Sequence, residues 1–244
     1  MPRTIVFIPT YNECENVGPM CDELTALGLD ADIVFMDDNS PDGTGTLLDA
    51  LAAKHPRVSV IHRQGKSGIG SAHAEGITYA YDKGYQRLVT LDCDFTHSPT
   101  LIPVFLARGD HADVVVGSRY VDQDSLPGWT LLRKLLTKLG HLLTVSMLGI
   151  SQDATGAFRV YNLETVPREL FALVHSRGYA FFFESLLVLN KNSFAIAEVP
   201  IRLPARTAGH SKMSAVEIQR SLATLVALFL ESQRHPQRFR LNRS

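Results

Sequence analysis

Short apolar, β-branched runs recur along the first half of the chain, and helix-period segments separate them. The runs are TIVFIP (residues 4–9), DIVFMD (32–37), VSVIH (58–62), RLVTLD (87–92) and DVVVGS (113–118). Residues 15–27, 44–54, 71–83 and 98–108 lie between them with helical spacing of their apolar positions. Few architectures accommodate this alternation. It predicts an α/β fold with a mostly parallel sheet covered on both faces, because such strands read as near-continuous apolar runs rather than alternating ones. Ligands of these sheets bind outside the carboxyl ends of the strands. Each run ends there in polar or glycine-rich sequence: PTYNE, DDNSPDGTG, HRQGKSGIG, DCDFTH and GSRY. Such convergence predicts a site.

DCDFTH carries the sharpest chemistry. Two carboxylates, Asp92 and Asp94, sit one residue apart at the end of a strand. In extended chain they would point the same way, about 6–7 Å apart. At that separation they repel by about 3 kcal/mol at an effective dielectric near 20. A proton, a basic side chain or a divalent cation must compensate. Mg²⁺ and Mn²⁺ take carboxylate oxygens together with phosphate oxygens. Helix capping would account for one carboxylate but not for both.

The other motifs are less specific. HRQGKSGIGSA contains GKS, but a P-loop needs glycine where Val60 stands. Its glycines are also not spaced as in a dinucleotide fold. It reads either as a flexible turn or as a loop that presents backbone N–H groups and Lys66 to a phosphate or sugar. In MDDNSPDGTG, Asp37 and Asp38 end a strand and could hold a ribose hydroxyl or a base N–H, while Asp42 and Asn39 could supply a turn alone. RTAGHSKMS, residues 206–214, has the cations and small hydroxyls of an anion-binding loop.

Composition excludes some classes. The chain has 244 residues, 45% of them hydrophobic, which suits one large domain over 1–231 followed by a basic tail over 232–244. Net charge is -1, so no global field favours nucleic acid. Cys14, Cys21 and Cys93 lack metal spacing and read as the reduced thiols of a cytosolic protein. The opening residues hold too short an apolar run for a signal peptide, and no window is apolar enough to span a bilayer. Two segments, 131–150 and 215–230, mix leucines with basic residues. They read as core helices or as helices lying in a membrane interface.

The motifs VFIPTYNECENV, FMDDNSPDGT, GKSGIGSAHAEGITYAY, LDCDFTHSP, VVGSRY, TGAFRVY, GYAFFFE and EVPI…R…GHSKM occur in that order. Together they make the chain resemble the polyprenol-phosphate (dolichol-phosphate) mannosyltransferases, inverting GT-A enzymes of glycosyltransferase family 2. The resemblance covers nearly all of residues 4–230. It implies a GT-A fold, a nucleotide-sugar donor such as GDP-mannose, a polyprenyl phosphate acceptor, and Mg²⁺ or Mn²⁺ as cofactor. It implies a peripheral enzyme on the cytoplasmic face of a membrane, alone or with an anchoring partner protein. It also implies roles for particular residues. Pro9, Tyr11, Glu13, Asp37, Asp38, Lys66 and Cys93 fall in the donor site. Asp92 and Asp94 hold metal and diphosphate. Arg119, Arg206 and Lys212 face the donor phosphates, and Asp94, Arg119 and Lys212 are the catalytic set. Arg119, Arg133, Thr137 and Ser211 hold the acceptor phosphate. Two positions depart from the pattern: Thr137 and His141 stand where relatives often have Ser and Asn, and Thr96 stands where some have Gln or Ser.

Alternatives remain at this point. A UDP-sugar donor is one. A sugar-hydroxyl acceptor is another, and it would want a general base near Glu184 in GYAFFFE. A silent nucleotide-sugar-binding module and a nucleotidyltransferase complete the set. The intact DxD argues against the first of these two, and the lack of a glycine-rich loop after the first strand argues against the second.

Overall fold

The computed structural model describes residues 3–122, 125–203 and 215–242. They build a seven-stranded sheet: β1 (Thr4–Thr10), β2 (Ala31–Asp37), β3 (Val58–His62), β4 (Arg87–Thr90), β5 (Val114–Ser118), β6 (Arg159–Asn162) and β7 (Ile196–Pro200). The strand order is β3-β2-β1-β4-β6-β5-β7. β6 is antiparallel to both of its neighbours, and the other pairings are parallel. Helices α1 (Cys14–Ala26), α2 (Thr44–Lys54), α3 (Ile69–Asp82) and α4 (Ile102–Gly109) connect the first five strands, so the α/β expectation holds. Further along come α5 (Leu131–Leu143), α6 (Arg168–Phe171), α7 (Ala180–Lys191) and α8 (Ala215–Arg234).

Side-chain alternation splits the core into two layers. Ile5 and Phe7 of β1, with Val34 and Met36 of β2, join α3, α7 and α8 on one face. Val6, Ile8, Ile33 and Phe35 join α1, α2 and α4 on the other. Both faces of β1 and β2 are therefore buried, which is why these strands read as continuous apolar runs. α3 lies so close to β1 that a Cβ on Gly76 would meet the Phe7 ring at 2.5 Å.

Four segments differ from the sequence reading. The fourth strand ends at Thr90, two residues before Asp92, and Cys93 and Asp94 lie in a turn. TGAFRVY supplies a central antiparallel strand, although its Arg159 interrupts the apolar pattern. Residues 163–173 hold only the short α6, because Pro167 disfavours helix in the residue before it. The basic tail docks instead of trailing. Pro236–Phe239 forms a 3₁₀ turn, Phe239 is fully buried, and Asn192 Nδ2 donates to Phe239 O at 2.8 Å while Leu241 N donates to Asn192 Oδ1 at 2.8 Å. No described helix is long and apolar enough to cross a membrane.

Because Phe239 completes the core layer that holds α7 and α8, Phe239→Ala is expected to cost about 3–5 kcal/mol. The urea midpoint measures it; an unchanged midpoint would mean that the tail contributes no packing.

Candidate active site

The loops after β1 and β2 are stitched to each other. Asn12 and Asn39 adopt left-handed backbone (φ 54° and 57°), which asparagine tolerates. Asn12 N donates to Ser40 Oγ at 2.9 Å, Glu13 N to Thr44 Oγ1 at 2.9 Å, and Cys14 N to Asp42 Oδ2 at 3.1 Å. Asp42 also accepts from Thr44 N at 3.0 Å. Burial opposes ionisation of Asp42, yet the Thr44 and backbone bonds hold its carboxyl below the usual range. Asp42 thus builds the turn, as its position suggested. Asp37 is 2% exposed and accepts from Ser40 N and Oγ, so its carboxylate closes the same turn. Pro9, next to last in β1, is half-buried, and Tyr11 and Glu13 follow the strand on the rim.

Asp38 has a different partner. Arg63 Nη1 donates to its Oδ1 at 2.6 Å, and both side chains are nearly inaccessible (8% and 7%). Burial raises the Asp38 pKa and outweighs the Arg63 contact. Arg63 reaches Ser71 and, at 2.8 Å, Glu75 as well. It escaped the sequence reading, although its place directly after β3 was the available signal.

The glycine loop is built for packing. A Cβ on Gly68 would meet Arg177 O at 2.7 Å, and one on Gly70 would meet Gly178 O at 2.5 Å. Ser71 N donates to Arg177 O at 2.9 Å, so a protein carbonyl occupies that N–H of the α3 terminus. Lys66 lies over the Tyr11 ring, 4.2 Å from its centroid, a cation–π contact joining the β1 and β3 loops.

The two DxD carboxylates leave from a turn, not from extended chain, so the same-face spacing inferred from strand geometry is replaced by local clamps. Phe95 is left-handed (φ 57°). Asp94 Oδ1 accepts from Thr96 N at 3.1 Å and from Thr96 Oγ1 at 2.5 Å. Cys93 is buried between the two aspartates. The Asp92 side chain is 34% exposed at the carboxyl edge. Among the described residues no three His, Cys, Asp or Glu side chains cluster for a metal. Two hard carboxylates that leave other positions to water and diphosphate oxygens nevertheless fit Mg²⁺ or Mn²⁺.

Arg119 follows β5 and forks onto Asp153, with Nε at 2.7 Å from Oδ2 and Nη2 at 2.6 Å from Oδ1. Asp153 is fully buried and its backbone N donates to Glu198 Oε1 of β7 at 3.1 Å. Burial opposes the Asp153 charge, but Arg119 outweighs burial and holds the carboxyl below the usual range. Asp153 and Glu198 were not anticipated; nothing in SQDATG or FAIAEVP marks them before folding.

Tyr120 carries the site to α5. Its ring stacks on His141 at 3.8 Å and 15°, and its hydroxyl donates to Thr137 O at 3.2 Å. Arg133, one turn before Thr137, lies over the Trp129 ring at 3.6 Å. No residue of α5 is buried. Leu131, Leu132, Leu135, Leu136, Leu139 and Leu142 are 49–86% exposed, while Lys134, Thr137 and His141 lie on the covered side. Glu184 is 1% exposed and accepts from Ser176 N at 2.7 Å, His175 N at 3.2 Å and Arg238 at 3.2 Å. Arg206, Ser211 and Lys212 lie outside the described residues.

Residues 5–167 match the family described as Glycosyl transferase family 2. The chain is 36% identical over 223 residues to the polyprenol monophosphomannose synthase of Mycolicibacterium smegmatis, a match covering 90% of this chain and 84% of that protein. It is also 36% identical over 213 residues to the undecaprenyl-phosphate mannosyltransferase of Micrococcus luteus, covering 87% and 88%. Among solved structures, mannosyl-3-phosphoglycerate synthase from Rubrobacter xylanophilus superposes with a TM-score of 0.67 at 21% identity, over 95% of this chain and 75% of that one. A mannosyltransferase from Pyrobaculum calidifontis, solved with GDP-Man and Mn²⁺, gives 0.52 at 15%, over 95% and 64%. At such identities the solved structures speak for the GT-A-like fold alone.

Asp153→Asn leaves the Arg119 charge without its partner, and about 3–5 kcal/mol of stability should be lost at pH 7. The folded Asp153 pKa is depressed, so the pair's contribution is complete above the unfolded value of about 3.9 and is lost as pH falls through the folded value. Urea unfolding at pH 7 and on acidification should therefore show a variant that is weaker at neutrality and less sensitive to acid than the wild type.

Proposed function

We propose, for this chain, which belongs to glycosyl transferase family 2, the transfer of mannose from GDP-mannose to a polyprenyl monophosphate with inversion at the anomeric carbon. The observation that carries this reading is α5. Its leucines face outward and its covered side touches Tyr120, the residue after Arg119. An acceptor whose phosphate must reach the carboxyl edge while its isoprenoid stays in a bilayer needs such an element. The mannosyltransferase names of the 36% identical relatives support the sugar and the lipid.

Most glycosyl acceptors need a base, but a phosphate monoester does not, since its second pKa is about 6. Glu184 is consistent with this, because a buried carboxylate spent on a loop and on Arg238 is poorly placed to take a proton from an acceptor. An acceptor phosphate oxygen attacks the anomeric carbon, the bond to the diphosphate breaks, and its electron pair leaves with the diphosphate. No proton has to move. Asp92 and Asp94 would hold Mg²⁺ or Mn²⁺, which when bound neutralises charge on the leaving diphosphate. Tyr11 and Glu13 on the rim, together with Asp38 held by Arg63, would take the nucleoside. Arg119 and Arg133, with Arg206, Ser211 and Lys212 beyond the described residues, would keep the two anions from repelling, so the work is orientation and electrostatics. The Arg119 charge is shared with Asp153, so a second cation such as Arg133 is needed on the acceptor side.

Product analysis with polyprenyl phosphate, Mg²⁺ or Mn²⁺ and a panel of nucleotide sugars should give a mannosyl lipid from GDP-mannose. A glucosyl lipid made from UDP-glucose alone would replace the donor. In the same assay Arg133→Ala should raise the requirement for lipid phosphate by about ten- to a hundredfold, the loss of one charge-assisted contact. An equal loss of donor affinity would assign Arg133 to the diphosphate.

We place the protein peripherally on the cytoplasmic face of its membrane, held by α5 and by the exposed Ile218, Leu222, Val226 and Leu230 of α8. The protein should sediment with anionic liposomes, and less so as salt shortens the Debye length from about 10 Å at 0.1 M to about 3 Å at 1 M. Leu135→Asp with Leu139→Asp should abolish sedimentation and spare turnover of a short, water-soluble prenyl phosphate. Wild type that stays in solution at low salt would assign the anchor to a partner protein.

A further inference from the structure

The DCDFTH turn holds a buried imidazole that the chemistry above does not use. His97 is 4% exposed. Its ring packs on Phe158 with centroids 5.5 Å apart, and Phe158 stacks on Phe105 at 4.0 Å. From this fixed place Nδ1 accepts the backbone N–H of Asp92 at 3.3 Å, and it lies 3.6 Å from Asp92 Oδ2.

The need for such a contact follows from the end of β4. Beyond Leu91, whose N–H still donates to Phe7 O at 3.3 Å, the chain turns, and Phe95 is left-handed at φ 57°. Asp92 therefore sits between the strand and the turn, where no strand ladder directs its backbone. Thr96 clamps the Asp94 carboxylate through two bonds. His97 supplies the corresponding clamp for Asp92, through its backbone.

We propose that His97 is a positioning residue for Asp92: a ring fixed by Phe158 whose Nδ1 takes the Asp92 backbone N–H and so sets the direction in which the carboxylate leaves the chain. The inference rests on reading Asp92 and Asp94 as the cation-holding pair. Small octahedral cations tolerate little misplacement of their oxygens, and groups that orient metal ligands typically govern affinity.

Two substitutions separate the hydrogen bond from the packing. His97→Phe keeps an aromatic ring against Phe158 and removes the acceptor. His97→Asn removes the ring and keeps an oxygen that can accept where Nδ1 does. Mn²⁺ affinity is read by electron paramagnetic resonance for Mn²⁺ alone, with GDP and with UDP, beside the melting temperature of each variant. His97→Phe should weaken Mn²⁺ binding roughly tenfold, while His97→Asn stays within about threefold of wild type although it melts lower. Wild-type Mn²⁺ affinity in His97→Phe would overturn the positioning role. So would equal losses in both variants, which would make His97 a packing residue. No Mn²⁺ binding by the wild type under any of the three conditions would instead overturn the cation reading of Asp92 and Asp94, and this inference with it.

Discussion

A guanidinium–carboxylate pair nearly out of reach of water, Arg119 on Asp153, joins the parts on which the proposed acceptor half of the site depends. Asp153 takes the Arg119 side chain through a fork and its backbone N–H through a third bond. Its own N–H goes to Glu198 of β7. The end of β5, the turn before β6 and the edge strand are thereby fixed to one another. Burial makes this joint costly to break, because either partner left alone is a charge without solvent. It also moderates what Arg119 can offer an anion, since half of its fork is engaged. Positive charge for a second phosphate has to come from elsewhere on the same edge.

That division explains why α5 is built with its apolar side outward. An ordinary surface helix buries its leucines and exposes its charges. Here the covered side carries Thr137, His141 and Lys134, and six leucines face away from the protein. Tyr120, directly after Arg119, holds the covered side through a stacked ring and a hydrogen bond. The helix thus belongs to the site on one side and to an apolar environment on the other. Burial pushes the His141 imidazole below its ordinary pKa, which suits a ring stacked against tyrosine and not one displayed to water. At the opposite end of the chain the tail is held by Arg238 on Glu184 and Glu231, which removes Glu184 from the set of available acids.

Much of this was legible before folding. The β-branched runs, their spacing and the polar ends of the first five strands determine a parallel α/β sheet and the edge on which its ligands gather, because a strand buried on both faces has no other composition open to it. The paired aspartates, Lys66, Tyr11, Arg119 and Arg133 were visible through the motifs that carry them. α5 was half legible: its leucines and lysines indicated two environments, but periodicity does not say which of them is protein.

Tertiary structure alone decided the partners. Arg63 meets Asp38 across 25 residues and Arg119 meets Asp153 across 34, separations over which no local pattern in the sequence pairs one charge with another. Gly68 and Gly70 look like a phosphate loop in sequence, and only the approach of Arg177 and Gly178 makes them packing residues. β6 is hidden because Arg159 stands in its apolar run and finds neutral acceptors in the core, among them Ala154 O, Phe182 O and Ser185 Oγ. Local propensity and periodicity act within a few residues and settle the elements. The energy of a buried charge depends on what the rest of the chain places against it, and that is settled only when the chain is packed.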